Sequence, residues 1–319
     1  MFTGTSFQNS CRPLRSRGRT IAVDGLFCVV RHQLSHATKY RALLPLLIAV
    51  WLLAPVGAQQ LRQPPPYRIL ISNDDGVRAP GIAAVAQLLQ IIGDVTIVAP
   101  SVEQSGKGHS IVISEPIIRE DLTLPNGLRA IGLTATPAST VNVAIRNIVM
   151  PRPDLVVSGI NRGYNLGFAG YLSGTVGAAR EGAMHGVASI AASLAEAGAP
   201  RDYVAAAEEV LGVARRVKQY GLPPNTFLNV NIPAVPAGGY KGYMVTSQAL
   251  VRGGEESFAE TKRPGTGRTI YWNVFKEGAE PAPQGTDAWA VDNGYVSVTP
   301  MKLGEDDPRM FDTLKAWFK

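Results

Sequence analysis

The sequence predicts a doubly wound α/β protein on a mostly parallel sheet. Short apolar runs of strand length alternate with amphipathic runs of helical period from Arg68 to Asn231. This alternation calls for a parallel sheet covered on both faces, and right-handed crossovers make it doubly wound. Three of the strands stop at polar clusters, where such sheets bind their ligands.

Taken in order, Arg68–Ser72 reads as a short buried strand ending at Asn73-Asp74-Asp75-Gly76. Ile82, Val85, Leu88/Leu89 and Ile92 then recur at helical spacing, so 81–92 is a helix. Val95–Pro100 is the second strand, followed by a polar, glycine-bearing loop from Ser101 to Ser110. Ser139 can cap a helix with Val141, Ile145 and Ile148 on its apolar face. Asp154–Ser158 is a strand, Gly174–His185 a helix, Val187–Ser193 a strand, Asp202–Tyr220 a helix and Phe227–Asn231 a strand. Beyond about residue 240 come strand-like pieces (242–247, 269–275 and 295–299) around a charged, glycine-rich stretch, Val251–Gly267, that reads as a projecting hairpin or arm. A last helix starts near Asp307-Pro308, with Asp as cap and Pro at its first position. The expected division is a leader (1–58), a catalytic core (59–240) and a C-terminal extension (241–319) used in oligomerisation.

With 319 residues, 45% hydrophobic and 18% charged, the chain can bury a sizeable core and is not of disordered type. The formal charge of +6 does not point to nucleic acid, because the excess sits in the leader. Arg12, Arg15, Arg17, Arg19, Arg31, Lys39 and Arg41 face only Asp24 there, which leaves the remainder balanced. Lys39 and Arg41 precede an uncharged run, 42–58, ending in Val56-Gly57-Ala58. Basic flank, short apolar run and small-residue site read as a secretory signal peptide, so the expectation is an exported, periplasmic or secreted protein with no membrane segment once mature. An uncleaved anchor is the competing reading. Cys11 and Cys28 both lie in the leader, which excludes a disulfide scaffold or a multi-cysteine zinc site in the mature chain.

Three clusters carry the chemistry. After the first strand, Asp74 and Asp75 stand where a dinucleotide site would need a glycine-rich turn. Adjacent acids would repel a phosphate unless a cation came between, so they suggest a hard-cation site with oxygen ligands. Their plainer reading is an Asx-type turn. After the second strand, Gln104-Ser105-Gly106-Lys107-Gly108-His109-Ser110 offers hydroxyls to a metal or phosphate and small residues for close approach. It also reads as a surface loop, with His109 either a phosphate contact or a hydrogen-bonded loop histidine. The third cluster runs from Ser158 through Asn161 and Arg162 to Ser173-Gly174-Thr175 at a helix start, where free N–H groups favour an oxyanion or an ordinary cap. Two carboxylates, a hydroxyl and an amide for a cation, beside a helix start for an anion, point to metal-assisted phosphate hydrolysis. No nucleotide-cradling Gly-Lys-Thr/Ser loop suggests transfer from a triphosphate.

These residues resemble those of the SurE survival-protein family, the 5′/3′-nucleotidases. The likeness runs from about Arg68 to Pro300 through Ile69–Gly76, Ala99-Pro100 with Gln104–Gly106 and Gly108–Ser110, Val157–Gly163, Ser173–Val176, and Thr286-Asp287 with Gly294–Pro300. The resemblance implies a SurE-like, Rossmann-like fold whose C-terminal part exchanges elements in a homodimer or homotetramer. It implies that Asp74, Asp75, Ser105 and Asn161 hold one divalent ion, magnesium or manganese, with Asp74 or Asp75 accepting the proton. Asn73, Gly106, His109, Ser173, Gly174 and Thr175 would meet the phosphate or substrate, a nucleoside monophosphate or another phosphomonoester. The chain departs from the family at Ser139, where an aspartate is usual, and in its export signal, since familiar members are cytoplasmic and the resemblance leaves that compartment as the alternative. A broad exported phosphatase or polyphosphatase, and a non-catalytic nucleotide- or phosphate-binding protein, are the alternatives. Tyr271 and Trp272 either stack a base or pack within their strand.

Overall fold

A computed structural model describes residues 65–196, 202–250, 254–277 and 281–318. The leader and its apolar run, 42–58, lie outside the described residues. From Pro65 on, the chain forms one compact unit around a nine-stranded sheet.

Its strands are β1 (Arg68–Ser72), β2 (Asp94–Pro100), β3 (Arg119–Thr123), β4 (Arg129–Leu133), β5 (Leu155–Arg162), β6 (Ala188–Leu194), β7 (Thr226–Ile232), β8 (Tyr243–Val245) and β11 (Val296–Lys302). The order across the sheet is β3-β4-β2-β1-β5-β6-β7-β11-β8. The block β4-β2-β1-β5-β6-β7 is parallel throughout, while β3 and β11 run against β4 and β7. From β1 the chain winds one way through β2 and β4, then returns to the other side of β1 as β5. The carboxyl ends of β1 and β5 therefore flank a topological switch point, where a crevice opens above the sheet.

Helices cover both faces. On one lie α1 (Pro80–Leu89) and α5 (Tyr203–Tyr220), packing Val85, Leu89, Val210 and Val217 on Ile69 and Ile71 of β1. On the other, α2 (Pro137–Val143) and α4 (Gly174–Met184) close over Leu70, Val98 and Val156, with the short α3 (Ala169–Leu172) leading into α4. Alternate residues of β1 thus face different cores, as strand geometry dictates.

Several expectations shift. Ser139 does not cap α2: Thr136 does, accepting from the Ser139 amide at 3.4 Å, while the Ser139 hydroxyl accepts from the Val112 amide at 2.7 Å. The helix also widens into a π-helical turn at Ala144–Ile148. Strand β5 runs past Ser158 to Arg162, with a register slip against β6 between Ser158 and Asn161. Strands β3 and β4 are additions; β3 is a mostly exposed edge strand (REDLT) without an apolar face. The expected boundary at 240/241 does not coincide with an edge of the sheet, because β11 returns to pair with β7 and carries β8 beside it. The arm is an antiparallel hairpin of β9 (Gly254–Lys262) and β10 (Thr269–Glu277), a separate two-stranded sheet. Asp307 accepts from the Arg309 amide, but over a 3-10 turn, Pro308–Met310, that precedes the last helix, α7 (Phe311–Trp317).

The loop between β5 and α3 is fixed from the C-terminal side of the chain. Asp287, fully buried at the start of α6 (Asp287–Asp292), accepts from the amides of Gly167 (2.9 Å), Ala249 (2.8 Å) and Ala288 (2.9 Å). Asn165 in the same loop donates from its backbone to Asn231 and from its side chain to Ser193, and its carbonyl accepts from Asn229. Asp287→Ala strands two buried amides and a third that is half-buried, and is expected to cost about 3–5 kcal/mol. Urea unfolding checks this, and a loss under 1 kcal/mol would contradict the clamp.

Candidate active site

Four chain segments meet at the switch point. The Asn73–Gly76 turn follows β1, Asn161 lies near the end of β5, the 104–110 loop follows β2, and Ser173–Thr175 opens α4. Hydrogen bonds tie them around the acidic pair. The Gln104 amide donates to the Asp74 carbonyl at 2.7 Å, bringing the loop of Ser105 beside Asp74. The Arg162 amide donates to Asp75 Oδ2 at 3.0 Å, which places Asp75 against the peptide that follows Asn161. Thr175 donates its hydroxyl to Asp74 Oδ1 at 2.6 Å, and its backbone also bonds that carboxylate. The anion at the start of α4 is thus the protein's own Asp74. Gly174 makes room for it, since a Cβ there would stand 2.9 Å from Asp74 Oδ2.

The other expected residues take varied places. Asn73 closes its turn by donating to the Gly76 carbonyl at 2.9 Å, so the Asx-type turn is present together with the acidic pair. Asn161 donates its amide to the Gly163 carbonyl at 2.8 Å. Ser173 caps α4, accepting from the Val176 amide at 3.1 Å. The Ser105 hydroxyl is turned outward to Glu103, at 3.0 Å. His109 bonds Glu181 through Nε2 at 2.7 Å, which is the hydrogen-bonded loop-histidine arrangement. Tyr271 and Trp272 lie on the hairpin, 64% and 60% exposed, and Trp272 Nε1 donates to the Thr261 hydroxyl on the facing strand at 3.2 Å. Ser158, which opens the third cluster, pairs in register with Ser72 at the end of β1, a partnership with no expected role; not foreseen at all was the buried Glu181 with His185 and Asn142. A lone serine in an apolar run, or a lone glutamate in an Ala/Gly-rich helix, carries no local signal.

Two features of the site suit a hard cation. The Ser72 hydroxyl, the Asn73 side-chain carbonyl and the Ser158 hydroxyl are buried without a hydrogen-bond partner, and such groups ordinarily have one. In addition, Asp74 is only 2% exposed, and burial, opposed by the Thr175 hydroxyl and reinforced by the charge of Asp75, pushes its carboxyl up from 3.8 to about 6. An adjacent dication would reverse that cost. Carboxylates with neutral oxygen donors make a magnesium- or manganese-type set, without the nitrogen or sulfur ligands that favour zinc. Beside Asp75 a cavity of about 400 Å³ opens between Arg78, Val102, Glu103, Arg162 and Tyr203.

The sequence profile of the family described as survival protein SurE matches residues 69–255. The chain belongs to this family. It is 41% identical over 249 residues to the 5′-nucleotidase SurE of Geobacter sulfurreducens, covering 78% of this chain and 93% of that protein. It is 44% identical over 239 residues to 5′-nucleotidase SurE 1 of Thermus thermophilus, covering 74% and 92%. Among solved structures, the SurE protein of Aquifex aeolicus matches with a TM-score of 0.69 at 36% identity, over 79% of this chain and all of that one. The SurE-like α/β fold expected from the motifs is therefore the fold observed.

The raised carboxyl of Asp74 has a measurable consequence in metal-free protein. Its folded value lies above its unfolded one, so its stabilising contribution is full below pH 3.8 and is lost as pH rises through about 6. Asp74→Asn should flatten this dependence and raise stability at pH 7 by roughly 2–3 kcal/mol in chelator. Unfolding curves at pH 4 and pH 7 check it; equal curves for both proteins would contradict the buried charge.

Proposed function

We propose that the protein is a divalent-cation-dependent 5′-nucleotidase that hydrolyses nucleoside monophosphates to nucleoside and phosphate. The observation that carries this reading is the convergence of four segments on Asp74–Asp75, in a chain of the SurE family whose relatives bear the name 5′-nucleotidase. Asp74, Asp75, Asn161 and Ser105 would hold the cation, Ser105 by giving up its bond to Glu103. When bound, a hard dication lowers the pKa of water and screens the phosphate's charge.

The chain's own residues divide the remaining work. Asp74 is fixed by Thr175 and nearly sealed from solvent, so its role is to bind. Asp75 is half-buried, opens on the adjacent cavity and takes the proton from the attacking water. Gly174 and Thr175 keep the start of α4 against Asp74, where its free amide and dipole offset the carboxylate's charge. We infer also that the mature protein is exported, on the strength of its leader, and that it assembles as a homodimer or homotetramer. Support for assembly comes from the projecting hairpin, which exposes Phe258, Tyr271, Trp272 and Val274. Free hydrophobic area of that kind marks an association surface.

Phosphate release from a panel of nucleoside monophosphates is expected to fall to background in chelator and to return with magnesium or manganese. Asp75→Asn should lower kcat at least about 100-fold while the protein stays folded. Undiminished turnover in chelator or in that variant would overturn the mechanism. Saturable nucleotide binding without product would make it a binding protein instead.

A further inference from the structure

Downstream of the leader the sequence contains only two histidines, His109 and His185, and both bond one carboxylate. Glu181, on α4 and 5% exposed, meets His109 Nε2 at 2.7 Å through Oε2 and His185 Nε2 at 3.1 Å through Oε1. Its Oε1 also accepts from the Asn142 side chain at 2.6 Å. Burial alone would raise this carboxyl, but the hydrogen bonds of His109 and Asn142 and the charges of both histidines outweigh it and hold it below the ordinary value. A buried anion with partners on three segments is a fixed point of the structure.

The loop it holds needs one. Gln104–Ser110 contains no apolar side chain, so hydrophobic burial cannot seat it. It lies against α3 and α4 instead: the Gly108 amide donates to the carbonyl of Leu172, the last residue of α3, at 2.9 Å, and a Cβ on Gly177 of α4 would overlap the Gly108 carbonyl. One end is tied to Asp74 through the Gln104 amide, at 2.7 Å, and the other to Glu181 through His109. Ser105 lies between these two ties. Glu181 follows Gly174 by seven residues, so it stands on the same face of α4 as the residues beside Asp74.

We infer that Glu181 is a positioning residue, whose bond to His109 seats the 104–110 loop, and with it Ser105, against the Asp74–Asp75 centre. This rests on the reading of that centre as a cation site, so the test reads the loop directly as well as the cation. Amide exchange of the full-length protein in chelator is followed by mass spectrometry, and manganese binding by calorimetry, for Glu181→Gln, His109→Asn and the double variant. Glu181→Gln keeps shape but cannot accept from both sides, so exchange across 104–110 should rise at least about tenfold while β5 and β6 are unchanged. Manganese affinity should fall about 10-fold or more, as outer-shell changes do. His109→Asn should reproduce both effects, and the double variant should add nothing to either single change. Where Glu181→Gln does not fold, His109→Asn decides alone. Native loop exchange in the folded variants overturns the inference, whatever the turnover. Faster loop exchange with undiminished manganese affinity also overturns it, by uncoupling the loop from the centre. Should the wild-type protein release no phosphate from nucleotides, the nucleotidase reading fails while the exchange and manganese results still decide the role of Glu181.

Discussion

Two carboxylates on consecutive residues, at the dry end of a parallel sheet, oppose each other's ionisation, and much of the molecule is arranged around that conflict. Asp74 is withdrawn from water and receives the hydroxyl and backbone of Thr175. Asp75 faces outward and takes the amide of Arg162. Neutral donors of this kind lessen the repulsion without cancelling it. A small dication cancels it, and buried oxygens without partners stand nearby in the chain, on Ser72 and Asn73 just before the pair and on Ser158, the register partner of Ser72 on β5.

The fold brings these groups together by its winding. Reversal of strand order at β1 separates the loops after β1 and β5 and leaves a gap that a continuous progression would fill. Both sides of the gap are then held by charged anchors buried away from it. Asp287 holds the loop after β5 from the C-terminal part of the chain, and Glu181 holds the loop after β2 from the last turn of α4. Each accepts from at least two separate segments, so loops poor in apolar side chains are nonetheless fixed.

Much of the sheet was legible because its strands are apolar on both faces: Ile69-Leu70-Ile71 and Leu155-Val156-Val157 announce themselves without any neighbour. β3 was not, since an edge strand of Arg119-Glu120-Asp121 has neither an apolar run nor alternation. The motif residues Asp74, Asp75, Asn161 and Thr175 could be placed at element ends from local pattern alone, and hydrogen bonds now tie three of them across segments. What links them could not be read. Glu181 and His109 are 72 residues apart, and Asp287 and Gly167 are 120, so only the folded chain reveals which polar residue answers which. Ser139 shows the limit of capping rules: Thr136 and Ser139 both suit a helix start, and the second is claimed by the Val112 amide.

The two margins of the nine-stranded sheet differ from its interior. One is β3, charged and exposed; the other is β8, three residues long. Neither presents the long flat ladder of free amides and carbonyls that invites another chain to extend a sheet. Fibril-like stacking through the main sheet is thereby discouraged at both of its borders.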